Sequence, residues 1–196
     1  HDAKSGDMGL DVQFAIDYLA ANPGVTLVLI PSAKGGTGFT QNNWWRVGDA
    51  LYNDAVNRVN ACMTANPSFI FKGILWHQGE KDRDNVPAYY AYYDALIENF
   101  REDIEVADPT TPFICGGLMP DFINKEAPKN DVELVQAYLE DTPNRIPNTA
   151  YADNTGLTTF DNTHADAASL RIFGSGWPSR GPSIIAHGSS ARRSSA

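Results

Sequence analysis

The sequence predicts an α/β domain built on a mainly parallel sheet, and three observations predict it. Apolar runs rich in β-branched residues alternate with segments of helical period, the connections between them are short, and polar stretches follow the apolar runs directly. That alternation marks strand–helix–strand units.

The elements follow in order. From Val12 to Ala21, the residues Phe14, Ala15, Tyr18 and Leu19 recur at helical spacing, and Asn22-Pro23-Gly24 stops the helix. Val25 to Ile30 reads Val-Thr-Leu-Val-Leu-Ile, a continuous apolar run suited to a strand buried on both faces. It ends in a small-residue loop, Pro31-Ser32-Ala33-Lys34-Gly35-Gly36-Thr37-Gly38. Val47, Leu51, Ala55, Val59 and Cys62 then mark a second helix, closed by Asn66-Pro67. A second strand, Phe69 to Trp76, leads into His77-Gln78-Gly79-Glu80. A third helix spans about Pro87 to Val106, with Tyr89, Tyr93, Leu96, Phe100 and Ile104 on one face. Phe113 to Leu118 predicts another strand, Asp131 to Leu139 a helix, Ala150 to Ala152 a short strand and Ala165 to Phe173 a last helix.

The chain of 196 residues suits one domain. Its expected extent is 1–174. From Ser175 the composition turns to Ser and Arg, with no acidic residue after Asp166, so 175–196 is expected to be a low-complexity, poorly ordered tail. A net charge of −9 argues against a nucleic-acid partner. No apolar run reaches the roughly 20 residues of a membrane helix. The chain opens without a basic-then-apolar leader, which leaves secretion or a periplasmic location open. Cys62 and Cys115, at an expected helix end and in an expected buried strand, favour free apolar thiols over a disulfide or metal site. No cofactor or metal is expected.

In parallel α/β sheets the ligand site lies outside the carboxyl ends of the strands. Three polar segments converge there. In Asp161-Asn162-Thr163-His164 a carboxylate three residues ahead of a histidine can hold one ring nitrogen and leave the other free to take a proton. In Trp76-His77-Gln78-Gly79-Glu80 a side-chain amide at a strand end can donate to a developing oxyanion. In Ala33-Lys34-Gly35-Gly36-Thr37 adjacent glycines can present backbone N–H groups to an anion. Each also has a plainer explanation: a surface loop for the first, a turn after a buried strand with Trp76 in the core for the second. A structural histidine accounts for His77, and an ion pair with Lys81, Arg83 or another nearby cation for Glu80. The glycine segment is not a phosphate-binding loop, and the histidine segment lacks the second His of a zinc helix.

Taken together and in this order, the three segments resemble the SGNH hydrolases, in particular the carbohydrate-esterase branch with sialate O-acetylesterase-like and acetylxylan esterase-like members. Met8-Gly9 and Phe14-Ala15 also resemble the approach to that family's second strand. The resemblance covers roughly residues 1 to 174 and implies a three-layer α/β/α sandwich of flavodoxin-like type. It implies His164 as general base, with Asp161 and Glu80 competing for the role of triad acid. It implies Gly35 or Gly36 as a backbone oxyanion donor and Gln78 as a side-chain donor. Trp44, Trp45, Trp76 and His77 become candidate substrate-binding residues, with core packing the competing role for the tryptophans. The implied ligand is an acetylated carbohydrate or another small ester.

The family's nucleophile block, Gly-Gln-Ser-Asn or a close variant after the first strand, has no counterpart here. Only about 34 residues precede Gly35 and none reads Gly-x-Ser behind an apolar strand. The nucleophile is therefore unassigned, and the first strand is expected to be missing. Ser32 follows a strand but belongs to the glycine segment. A non-catalytic carbohydrate-binding or scaffold domain on the same fold is the alternative.

Overall fold

Three short parallel strands in the order β1-β2-β3 form the centre of a computed structural model that describes residues 9–40, 45–127 and 129–179. They are β1 (Ile74–Trp76), β2 (Phe113–Gly116) and β3 (Thr149–Ala152). Leu75 pairs with Ile114, and Ile114 with Ala150. All four residues of the central β2 are buried, as a strand covered on both faces requires.

Seven helices flank or connect the strands among the described residues: α1 (Leu10–Ala21), α2 (Ala50–Ala65), α3 (Val86–Asp103), α4 (Pro120–Glu126), α5 (Val132–Glu140), α6 (Thr142–Arg145) and α7 (Ala167–Ser179). The helix expected over 87–106 is α3. Pro87 sits in its first turn, where a missing N–H costs nothing. Its buried residues Tyr89, Tyr93, Leu96, Ile97 and Phe100 form one stripe. The Arg101 side chain of α3 is also buried, and it donates to the carbonyls of Thr111, Pro147 and Asn148, tying the entries of β2 and β3 together. α1 contains no buried residue and rests on α7. Gly174 permits the close approach, because a Cβ there would stand 2.6 Å from the Leu10 carbonyl oxygen.

The class predicted from sequence is the one observed: helices around a parallel sheet. Several boundaries differ. α7 continues past Gly174 to Ser179, beyond the expected end of the domain. The rest of the expected tail lies outside the described residues, as do Met8 and Trp44. The strand expected over Phe69 to Trp76 pairs only from Ile74.

Val25 to Ile30 is a correction. It belongs to no sheet, and Val25 and Val28 are 49% and 45% exposed. A strand is defined by its ladder, and no described strand lies alongside to supply one. Among the described strands, β1 is paired on one edge only. No described helix is long and apolar enough to cross a membrane.

Candidate active site

The segment after β1 turns through a short 3-10 turn, Glu80–Asp82. This turn carries Asp82 into the interior, where it is fully buried. A buried carboxylate needs hydrogen-bond donors on its oxygens. The backbone N–H groups of Phe39 and Thr40 donate to it at 3.0 and 2.7 Å, the Thr40 hydroxyl at 2.7 Å and the Gln78 amide at 2.6 Å. Gly38 makes room for this cluster, since a Cβ there would lie 2.9 Å from the Asp82 carboxyl carbon. Asp82 thus joins the loop that follows the glycine segment to Gln78. The Gln78 side-chain carbonyl is buried with no partner.

The glycine segment is braced from within. The Trp45 indole N–H donates to the Thr37 hydroxyl at 2.9 Å, and that hydroxyl donates to the Lys34 carbonyl at 2.8 Å. Gly35 and Gly36 are exposed above this brace, with Gly36 at φ +70°. Trp45 and Trp76 are 5% and 7% exposed and meet edge to face at 5.1 Å. Phe39 and Phe113 also lie against Trp76. These two tryptophans therefore pack in the core, the competing role named for them.

His77 is also held. Its Nε2 donates to the Gly117 carbonyl at 3.0 Å, and its ring lies edge-on to Phe173 of α7. Glu80 is 3.8 Å from the same nitrogen. The ion pairs with Lys81 and Arg83 are not formed, and Arg83 instead donates to the Glu80 backbone carbonyl while its side chain pairs with Glu126.

The candidate base lies on the loop after β3. His164 Nδ1 is 2.7 Å from Asp161 Oδ2, and the imidazole is 70% exposed. The other carboxylate oxygen of Asp161 accepts the backbone N–H groups of Thr163 and His164, at 3.0 and 2.7 Å. Burial favours the neutral acid at Asp161. The donors from His164 and Thr163 outweigh it and hold the carboxyl below its ordinary value. Of the two carboxylates considered as triad acid, Asp161 is the one at the His164 ring, while Glu80 faces His77.

The loop is fastened at its base. Thr159 donates to Asp121 of α4 from both its backbone N–H and its hydroxyl. Thr158 is bonded to Asp166 and Ser169, and Thr159 bridges Ala165. Asp82 and Asp121 are the two positioning carboxylates that sequence reasoning missed. Gln78 and Asp82 stand four apart on one turn, which was the available signal for the first. No such signal marks Asp121.

The structure thus brings together two groups: Asp161 with His164, and Gln78 with the loop after the glycine segment through Asp82. No hydrogen bond joins Gln78 to His164. No group of three metal-ligating side chains occurs among the described residues. An imidazole oriented by a carboxylate on Nδ1 leaves Nε2 to take a proton from a nucleophile, which is acyl-transfer geometry.

Comparison with known proteins gives the family and the fold. A probable 9-O-acetyl-N-acetylneuraminic acid deacetylase of Escherichia coli (strain K12) is 23% identical over 212 residues, covering 91% of this chain. The chain spans 63% of that relative's length. Among solved structures, a protein from Arabidopsis thaliana superposes with a TM-score of 0.72 at 23% identity, covering 90% of this chain and 70% of its own. The crystal structure of NanS superposes with a TM-score of 0.66 at 18% identity, covering 87% of this chain and 68% of its own. At such identities these two likenesses establish the fold. The carbohydrate esterase family of sialic acid-specific acetylesterases matches residues 1–178, and the chain belongs to it.

Proposed function

We propose that this chain carries the base and oxyanion donors of a carbohydrate O-acetylesterase, with an O-acetylated sialic acid as its substrate class. The observation that carries the reading is the Asp161–His164 contact of 2.7 Å beneath an exposed imidazole. The family assignment supports an acetyl ester of a sugar as the substrate.

In this chemistry a serine Oγ attacks the acetyl carbonyl while His164 Nε2 takes its proton. Asp161 holds the ring through Nδ1 and stabilises the imidazolium that forms. The Gln78 amide spends one N–H on Asp82, and its second N–H is the donor for the tetrahedral oxyanion, with a backbone N–H of Gly35 or Gly36 as its companion. Collapse of the intermediate breaks the bond to the sugar oxygen, which takes the proton back from His164 as it leaves. Water then repeats the sequence on the acetyl-serine and releases acetate. No step calls for a metal or cofactor.

Among the described residues no serine hydroxyl is hydrogen-bonded to His164. That observation favours a second reading, a sugar-binding domain on the same fold that does not turn over. Hydrolysis of p-nitrophenyl acetate and acetate release from 9-O-acetyl-N-acetylneuraminic acid separate the two, with His164→Ala as control. Turnover abolished by His164→Ala supports the esterase, with Ser32 the first serine to substitute. Turnover equal to that of His164→Ala rejects it for this chain and leaves the binding reading.

A further inference from the structure

The loop that carries His164 presents a second ring, Phe160, which no motif accounts for. Phe160 is the most exposed large hydrophobic side chain among the described residues, at 72%. A single exposed apolar side chain is common and by itself means little. Phe160 differs in its company. Its ring lies nearly parallel to the His164 imidazole, with centroids 5.8 Å apart and planes inclined by 21°. Its backbone N–H donates to the His164 carbonyl at 3.1 Å, so ring and base are locked to each other at both ends. The segment just before it is held by Asp121, Asp166 and Ser169. The phenyl ring is therefore kept in water on a fixed frame, at a cost that burial elsewhere would relieve.

The surroundings indicate what it meets. His164 lies against the ring, and the residues between them in sequence, Asp161, Asn162 and Thr163, are all polar. A single apolar ring beside a polar imidazole is too small for a protein partner and suits a small ligand with one apolar face and a polar edge. A pyranose ring has that form, with C–H groups on one face and hydroxyl or ester groups around the edge.

We propose that Phe160 is the sugar-stacking residue of this site. The C–H face of the pyranose rests on the phenyl ring, and the adjacent His164 then meets an ester on the sugar's edge. The assignment rests on the esterase reading, because it takes His164 as the reacting centre.

The test is a titration of the chain with N-acetylneuraminic acid, which carries no O-acetyl group to hydrolyse, and with its 9-O-acetyl form, read by proton NMR. Ring-current shifts of the pyranose C–H protons are expected, together with shifts of the Phe160 and His164 ring signals. Phe160→Ala should weaken binding about three- to tenfold, while Phe160→Trp restores it. Equal binding by Phe160→Ala, binding without pyranose shifts, or no binding of either sugar overturns the assignment. Histidine-dependent hydrolysis of p-nitrophenyl acetate without sugar stacking would remove this inference and keep the esterase. Stacking without any turnover would keep the contact of Phe160 with the sugar but remove the esterase reading, and with it the placement of an ester at His164.

Discussion

The Asp82 carboxylate and the Gln78 side-chain amide lie 2.6 Å apart in the interior, and the same carboxylate takes the backbone N–H groups of Phe39 and Thr40. One side chain therefore sets both the Gln78 amide and the loop that follows the glycine segment.

Removing that carboxylate strands several buried donors, each costing about 1–3 kcal/mol. Asp82→Ala is expected to destabilise the chain by about 3 kcal/mol or more, lowering the melting temperature by roughly 6–12 °C. Gly38→Ala should lower it as well by pushing the carboxylate out of place, although it touches no polar contact itself. A melting temperature unchanged in Gly38→Ala would mean that Asp82 has room the geometry denies it.

Asp161 makes a prediction about pH. Its carboxyl is held below the ordinary value, so the bracing it gives His164 is fully present above about 3.9 and is lost as pH falls through the lowered value. The pair is solvent-exposed, so its effect on overall stability is small and screened by salt. The local signal is clearer: the His164 Hε1 resonance should show an inflection below pH 3.9 that Asp161→Asn abolishes. An inflection surviving in that variant would assign it to another group.

The two thiols should separate by reactivity. Cys115 is fully buried on β2, and burial pushes its thiol pKa up, so little reactive thiolate forms. Cys62 is a free, half-buried thiol on α2. Under native conditions a disulfide reagent such as dithiobis-nitrobenzoate is expected to label Cys62 and spare Cys115. Denaturant should expose both. Rapid native labelling of Cys115 would show that the sheet opens far more readily than its packing indicates.

What could be read from sequence was local. Tyr89, Tyr93, Leu96 and Phe100 announce α3 because a helix repeats within its own length. The Asp161–His164 pair was legible because both partners sit on one short loop. Asp82 was not, since the backbone it binds is more than forty residues away and Glu80-Lys81-Asp82 resembles a solvated charge run. For Trp45 and Trp76 the residue type is plain, but the rings against Trp76 come from Phe39 and Phe113, and Trp45 packs on Trp76 itself. Val25 to Ile30 has the composition of a strand, and pairing is supplied by neighbours that a local pattern does not contain. The short helices α4 and α6 offer too few turns for any period to show.

The packing of α1 on α7 has a kinetic consequence. The two helices are separated by most of the chain, so their contact closes a very large loop and is won late in folding. With no fully buried residue, and only partly buried side chains such as Leu10 and Phe14 against the core, α1 is weakly held once that contact breaks. It is the last piece to dock and the first to leave, so its amides should exchange with solvent through a local opening well below the free energy of global unfolding. The amides of α3, anchored by its buried stripe, should wait for the whole domain to open.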